Sequence, residues 1–232
     1  CRGRDPRGVV FDSRQVATGG TQAGMNIGVD AFQARSNVSR ETMDRLKTYA
    51  ELLGRWNPKI NLVSKGSLSQ LWERHMLDSA QIFNLRPQGC RFWADLGSGG
   101  GFPGAVIAIM ASEAAPDMRV TLVESDQRKA AFLRTVARET GVGFTVLANR
   151  IEDIDPLHAS VVSARALAPL TVLLGFACRH LASGGMALFP KGSTAQAEIA
   201  AALESWCFDC QTYQSQTDKD AVILKIGDIE RV

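Results

Sequence analysis

The sequence lacks a hydrophobic run long enough to cross a membrane, and it has almost no excess of either charge. Its longest unbroken apolar run, Ala105 to Ala111, is seven residues, whereas a membrane helix needs about 20. The chain has 26 Lys+Arg against 24 Asp+Glu. The excess lies before Met25, where four arginines stand against two acids. Net charge therefore does not indicate a nucleic-acid partner, and we expect no membrane attachment.

Metal-binding patterns are also missing. The three histidines, His75, His158 and His180, are scattered and show no ligand spacing. Cys207 and Cys210 resemble half of a zinc site, but they lie in a predicted strand. Residues three apart in a strand point to opposite faces, so we expect no metal.

Residues 1–24 are rich in Gly and Arg and have no helical or strand period. We predict that they form a disordered leader, either an upstream over-read of the gene or a cloning remnant, with Met25 as the native start. A signal peptide needs an apolar core of about 7–15 residues, and this segment has none. We therefore expect a cytoplasmic protein.

Two helical segments are predicted in residues 25–90. Ser39 caps the first, whose apolar residues recur at steps of three and four until the helix ends near Asn57-Pro58. Ser67 caps the second, and Pro87 closes it. On this second helix, His75 falls within the apolar stripe, where it either docks the helix or contacts RNA or cofactor. Arg74 and Asp78, four apart on the opposite side, are a candidate ion pair.

Strands and helices alternate in residues 91–232, which predicts an α/β domain with a mostly parallel seven-stranded sheet covered on both faces. The last two strands have no helix between them and should form an antiparallel hairpin at one edge. The predicted strands are Phe92–Leu96, Arg119–Glu124, Phe144–Ala148, Ser160–Ala164, Met186–Pro190, Cys207–Gln214 and Ala221–Ile226. The predicted helices are Pro103–Ala111, Asp126–Thr140, Leu170–His180 and Ala195–Trp206.

The strongest functional signal is the glycine-rich stretch Asp95 to Gly104, between a strand and a helix. Glycines allow a sharp turn and close approach of a ligand, and ligands of open α/β sheets bind at the carboxyl ends of strands. A phosphate loop is excluded because no Gly-Lys-Ser/Thr follows. Two ligands remain. The first is a dinucleotide, because the stretch matches the dinucleotide-binding pattern as Gly99-x-Gly101-x-x-Gly104, although this pattern alone is weak evidence. An acid two residues before Gly97 favours S-adenosylmethionine.

Acids suit the cationic sulfonium cofactor better than a pyrophosphate. Asp95 can face the ammonium of the amino-acid end, and Glu124, at the end of the next strand, can accept from the ribose hydroxyls. Gly97 and Gly99 would let the cofactor approach the backbone. A tight turn without any ligand is the remaining alternative.

An ordered set of motifs then becomes recognisable. It comprises Arg74-His-Met-Leu-Asp-Ser79, the glycine stretch, Val123-Glu-Ser-Asp126, Arg150-Ile-Glu152, Ala164-Arg-Ala166 and Pro190-Lys-Gly192. This set resembles the bacterial 16S rRNA guanine-N7 methyltransferase family, also called glucose-inhibited division protein B, over about Ser39 to Val232. The resemblance implies a Rossmann-like class I S-adenosylmethionine-dependent methyltransferase domain at 91–232. Residues 25–90 would be a small helical extension.

The resemblance also implies the site. Gly97, Phe102, Ile151, Glu152 and Arg165 would contact the cofactor. The substrate would be a guanine in the decoding-region loop of 16S rRNA, free or in a small-subunit particle, and the enzyme a monomer. There are two alternatives. One is a methyltransferase of the same fold that acts on a small molecule or a protein, and the other is a nicotinamide-dependent oxidoreductase.

Guanine N7 has a lone pair and no proton, so its methylation needs no general base. We therefore expect the cations to orient the substrate. Arg165 and Lys191 end strands on the ligand side and would hold guanine O6 or a phosphate. Arg150, and less strongly Arg134 and Arg138, would contact RNA. The segment Arg119 to Arg150 has six Lys+Arg and three acids, so the RNA face is expected beside it.

Overall fold

The computed structural model of the chain describes residues 28–232, and the predicted leader lies outside them. The helices before the sheet are α1 (Val29–Ser36), α2 (Arg40–Ile60), α3 (Lys65–Leu68) and α4 (Asp78–Phe83), with a π-helix at Trp72–Leu77. The strands are β1 (Phe92–Leu96), β2 (Arg119–Val123), β3 (Thr145–Leu147), β4 (Ala159–Ser163), β5 (Leu181–Lys191), β6 (Trp206–Gln214) and β7 (Val222–Arg231). Between them lie α5 (Gly104–Ala114), α6 (Gln127–Thr140), α7 (Leu170–His180), α8 (Ala195–Leu203) and a 3₁₀-helix at Ile151–Asp153. No helix in this described part is long and apolar enough to cross a membrane.

The N-terminal helices differ from the prediction. Helix α1 was not predicted, and α2 continues through Pro58 because a proline in the last turn removes only one backbone donor. The helix ends at Ile60, and the capping residue Asn61 adopts a left-handed conformation. The predicted second helix is divided. Ser64, not Ser67, caps α3, and the chain then enters the π-helix before α4.

The seven strands form one sheet in the order β3-β2-β1-β4-β5-β7-β6. Strands β1 to β5 pair in parallel, and β7 lies antiparallel between β5 and β6. This confirms the parallel sheet and its terminal hairpin. Helix α8 is shorter than predicted because the chain re-enters the sheet at Trp206. The strand order reverses between β1 and β4, where open α/β sheets bind ligands.

Two hydrophobic clusters cover the two faces of the sheet. The N-terminal helices share one cluster with β1 and α5, through buried side chains such as Met43, Leu53, Met76 and Trp93. The other cluster joins α7 and α8 to β5 and β7. The helical extension is therefore packed into a core of the sheet, although its boundary at residue 90 remains a prediction.

Asp95, completely buried near the end of β1, links the sheet to the glycine loop. One carboxylate oxygen accepts from the Ser163 hydroxyl of β4 (2.7 Å), and the other accepts from the backbone N–H of Gly104 (3.2 Å). The indole N–H of Trp93 donates to the same Ser163 hydroxyl (2.8 Å). Burial, opposed by these hydrogen bonds, raises the pKa of Asp95 to about 6.

Tyr49 of α2 holds the opposite side of that loop. Its side chain is fully buried, and its hydroxyl donates to the carbonyl of Gly100. The ring stacks on Phe102, with centroids 5.3 Å apart. One residue of the helical extension thus satisfies a buried backbone acceptor of the loop.

We predict that Tyr49→Phe lowers the free energy of unfolding by about 1–3 kcal/mol, because the buried Gly100 carbonyl loses its partner. Denaturant unfolding measures this loss. The matched control is Tyr213→Phe, whose hydroxyl contacts exposed Gln211 and whose effect should stay within about 0.5 kcal/mol. Equal stability of wild type and Tyr49→Phe would contradict the assignment.

The raised pKa of Asp95 predicts a pH-dependent stability. Because the folded pKa (about 6) exceeds the unfolded value (3.8), this group stabilises the fold fully below about pH 4. Its contribution is lost as pH rises through 6, by up to about 3 kcal/mol. Unfolding curves between pH 4 and 7 should therefore show a smaller decline for Asp95→Asn than for wild type. The exposed control Asp44→Asn should show the same decline in stability with pH as wild type. Parallel pH profiles of stability for all three proteins would refute the prediction.

Candidate functional site

The glycine loop turns back over the end of β1 because it can adopt conformations that other residues avoid. Gly97 has φ +65°, and a Cβ there would lie 2.6 Å from the side chain of Leu167. Gly104 begins α5 directly against Asp95, where a Cβ would lie 2.6 Å from a carboxylate oxygen. The first position needs glycine for its turn and the second for close packing.

Glu124, directly after β2, orients the loop from its other side. One carboxylate oxygen accepts from the Gly99 N–H (2.7 Å), and the other accepts from the Asp126 N–H (2.8 Å). Each oxygen has a further lone pair. The carboxylate is therefore fixed by the backbone and can still accept from a ligand in the cavity that it lines.

A cavity of about 630 Å³ opens above the loop, within the usual range for small-molecule sites. Its walls come from the glycine loop, from the ends of β2 and β3, and from the segment after β4. The predicted residues that line it are Gly97, Gly99, Phe102, Glu124, Arg150, Ile151, Glu152 and Arg165, together with His75. The structure thus brings together most of the predicted cofactor residues.

Asp95 is the exception among them. It is completely buried and does not line the cavity. Both of its oxygens already accept hydrogen bonds behind the loop. In this structure Asp95 supports the loop from behind, and its contact with the ammonium of a cofactor stays a prediction.

A stack of rings forms the wall between the loop and the N-terminal helices. The ring of Phe102 lies between those of Tyr49 and His75, and the His75 centroid is 4.8 Å away. The guanidinium of Arg165 lies 5.3 Å from the Phe102 centroid and donates from Nη2 to Nδ1 of His75 (2.7 Å). Burial, with the nearby charges of Arg165 and Arg74, lowers the His75 pKa to about 3. His75 is therefore neutral, with its proton on Nε2.

A second cavity, of about 730 Å³, adjoins the first. The two share the segment Arg165–Ala168, in which Ala166 has an unusual φ of +51°. Lys191 lines this second cavity, and its ammonium donates to Glu198 (2.7 Å) and to the carbonyl of Ala168 (3.0 Å). Lys191 therefore does not lie beside the glycine loop but across the Arg165 segment from it.

The two predicted RNA cations on α6 lie outside both cavities. Arg134 donates to the carbonyl of Val146 (3.3 Å), and Arg138 pairs with Glu139 (3.0 Å). Both are exposed on the helix surface. Arg150 is also exposed, but it lines the rim of the glycine-loop cavity.

Asp78 has a role that the sequence did not predict. It pairs with Arg165 (3.1 Å), not with Arg74 as expected. The expected pairing assumed α-helical spacing, but the π-helix at Trp72–Leu77 has a wider turn, so residues four apart no longer align. In the sequence, only the position of Asp78 within the motif Arg74 to Ser79 indicated a functional role. No sequence pattern indicated that Tyr49 and Leu167 enclose the loop.

The described residues contain no group of three or more His, Cys, Asp or Glu side chains that could hold a metal ion. The cavity above the loop instead offers a fixed carboxylate, open backbone and apolar walls. These features suit an organic cofactor that has ribose hydroxyls and an aromatic base.

Comparisons with known proteins agree with this geometry. The model of the family described as rRNA small subunit methyltransferase G (GidB) matches residues 42–223. Ribosomal RNA small subunit methyltransferase G of Ruegeria pomeroyi is 55% identical over 196 residues, which cover 84% of this chain and 96% of that protein. The protein of the same name from Rhodospirillum centenum is 52% identical over 198 residues, which cover 85% of this chain and 89% of that protein.

Solved structures share the fold at low sequence identity. Cofactor-bound Rv0187 from MTB has a TM-score of 0.54 and 16% identity, covering 88% of this chain and 98% of that chain. TYW2 from M. jannaschii in complex with AdoMet has a TM-score of 0.53 and 11% identity, covering 75% and 80%. The sheet order and terminal hairpin are those of class I S-adenosylmethionine-dependent methyltransferases. With its family model matched over most of its length, the chain belongs to the rRNA small subunit methyltransferase G (GidB) family.

Proposed function

We propose that this protein transfers a methyl group from S-adenosylmethionine to N7 of a guanine in the decoding-region loop of 16S rRNA. The observation that carries the proposal is the pair of adjoining cavities that share Arg165–Ala168. One cavity has the glycine loop and acid of a cofactor site. The other has room for a base. Membership of the methyltransferase family supplies the substrate class.

The residues of the first cavity fit the cofactor. Glu124 can accept from ribose hydroxyls with the lone pairs that the Gly99 and Asp126 amides leave free. Buried Ile151 and exposed Glu152, on the 3₁₀-helix after β3, would lie along the adenine. The Gly97 backbone, which lines this cavity beside Leu167, would receive the amino-acid end near Arg165. When bound, S-adenosylmethionine supplies a methyl on a cationic sulfur, which the N7 lone pair attacks as the carbon–sulfur bond breaks.

Guanine N7 needs no general base, and His75 is not available as one. His75 is neutral, and its Nδ1 lone pair is already occupied by Arg165. The protein's task is to hold N7 in line with the methyl group and to exclude water. It must also hold the base out of its stack.

Arg165 and Lys191 would position the guanine through O6 or a phosphate. A donor on N7 itself would block the attacking lone pair, so these cations must act elsewhere on the base edge. Arg165 uses three N–H groups in the protein and has two left. Lys191 uses two of its three ammonium N–H groups in the protein. Each retains a donor for the substrate.

RNA would approach across the rim beside Arg150 and the surface of α6. Arg134 and Arg138 are exposed there and would contact phosphates without reading sequence. We further propose that the enzyme acts as a monomer in the cytoplasm, on free 16S rRNA or on a small-subunit particle.

The nicotinamide alternative conflicts with the site. The Glu124 carboxylate accepts the hydrogen bond of the Gly99 amide, so its negative charge would repel a pyrophosphate at this position. The antiparallel β7 also departs from the all-parallel strand order of dinucleotide-binding folds. No feature of the cavities favours a small-molecule or protein substrate.

The direct test is methylation of 16S rRNA and of 30S subunits from a strain that lacks its own enzyme, with S-adenosylmethionine labelled in the methyl group. After digestion, we expect the label in 7-methylguanosine from at least one substrate. Subunits from a strain with the enzyme are the control and should accept little label. Label absent from both unmodified substrates, or found only in another nucleoside, would refute the proposal.

Gly97→Asp is predicted to abolish cofactor binding, because the new side chain would strain a left-handed residue, displace Leu167 from the loop and add a charge to the cavity. Isothermal titration with S-adenosylhomocysteine measures this. Gly143→Asp, at an exposed position with no atom near its Cβ, should bind as wild type does. Undiminished binding by Gly97→Asp would place the cofactor elsewhere.

A further inference from the structure

We propose that Asp78 is a positioning residue that sets the orientation of Arg165, so that the helical extension completes the active site. The inference rests on the proposed function, because it concerns the group that stands between the two cavities. Asp78 belongs to the N-terminal helices, yet it lines the second cavity together with Arg165.

Arg165 is held by three residues from the π-helix and the start of α4. Its Nη1 donates to the carbonyl of Arg74 (3.1 Å) and to Oδ2 of Asp78 (3.1 Å), while Nη2 donates to His75. A free arginine side chain populates many rotamers and loses that entropy when it is ordered. These contacts fix it before a ligand arrives and leave its other N–H groups in defined directions.

Asp78 supplies the only negative charge among these three acceptors. The Arg165 and Asp78 side chains are 17% and 16% exposed, so water screens the pair only partly. His75 contributes a lone pair, and the Arg74 carbonyl contributes a dipole. Loss of the carboxylate charge would therefore weaken the strongest of the three contacts.

The carboxylate is itself fixed through its other oxygen. Oδ1 accepts from Gln81 Nε2 (2.8 Å) and from the Thr217 hydroxyl (3.0 Å), so Oδ2 is left for Arg165. Gln81 also accepts from the backbone N–H of Gln216 (2.8 Å) and donates to Ser215 (3.1 Å). The turn between β6 and β7 thus fixes α4 through hydrogen bonds to Gln81 and Asp78.

This division of the two oxygens makes Asp78→Asn a selective test. The amide oxygen can keep both contacts on the Oδ1 side, while the amide N–H₂ meets another donor at Arg165. We expect kcat/KM for the RNA substrate to fall about 10- to 100-fold, through misplacement of Arg165. The fall should appear in kcat and not in the KM for RNA, since phosphate contacts supply most RNA affinity.

A double-mutant cycle separates positioning from a structural role. Asp78→Asn should lower the single-turnover rate strongly in wild type and only slightly in an Arg165→Ala background. Asp44→Asn, the same change at an exposed site on α2, is the matched control, and thermal unfolding is measured for every variant. Equal rate losses in both backgrounds, or a loss that follows Tm alone, would overturn the inference.

Titration with S-adenosylhomocysteine keeps the two proposals distinct. If the wild-type protein binds it but makes no 7-methylguanosine, the proposed function fails. If the wild-type protein methylates RNA and Asp78→Asn does so at the same rate, the positioning role fails while the function stands.

Discussion

Two carboxylates at the ends of neighbouring strands hold the glycine loop, and the rest of the site depends on this constraint. Asp95 accepts from the Gly104 amide behind the loop, and Glu124 accepts from the Gly99 amide beside it. A glycine-rich backbone loses much conformational entropy on folding. Carboxylate acceptors for its amides offset that cost, and the Gly97 backbone still lines the cavity.

The helical extension contributes side chains to the walls of the site as well as to packing. It shares a core with one face of the sheet, and through that packing it places Tyr49 on the loop and His75 against Phe102. The π-helix then directs Asp78 toward Arg165. Three side chains from helices outside the sheet therefore hold the glycine loop and Arg165.

Much of this arrangement could be predicted from local sequence. The alternation of strands and helices predicted the sheet and its terminal hairpin, and the glycine stretch with Glu124 predicted the cofactor cavity. Pairings between distant residues could not be predicted. Arg165 and Asp78 are 87 positions apart, and α-helical spacing favoured Arg74 as the partner. Lys191 was correctly placed at a strand end, but only the fold shows that Glu198 holds it in the second cavity.

We propose that the two cavities serve one reaction across Arg165. A crystal structure with S-adenosylhomocysteine tests it most directly. We expect adenosine between Glu124 and Ile151, with the homocysteine sulfur beside Arg165 and facing the cavity lined by Lys191. A sulfur turned away from that cavity, or an adenosine bound in it, would show that the two cavities do not serve one reaction.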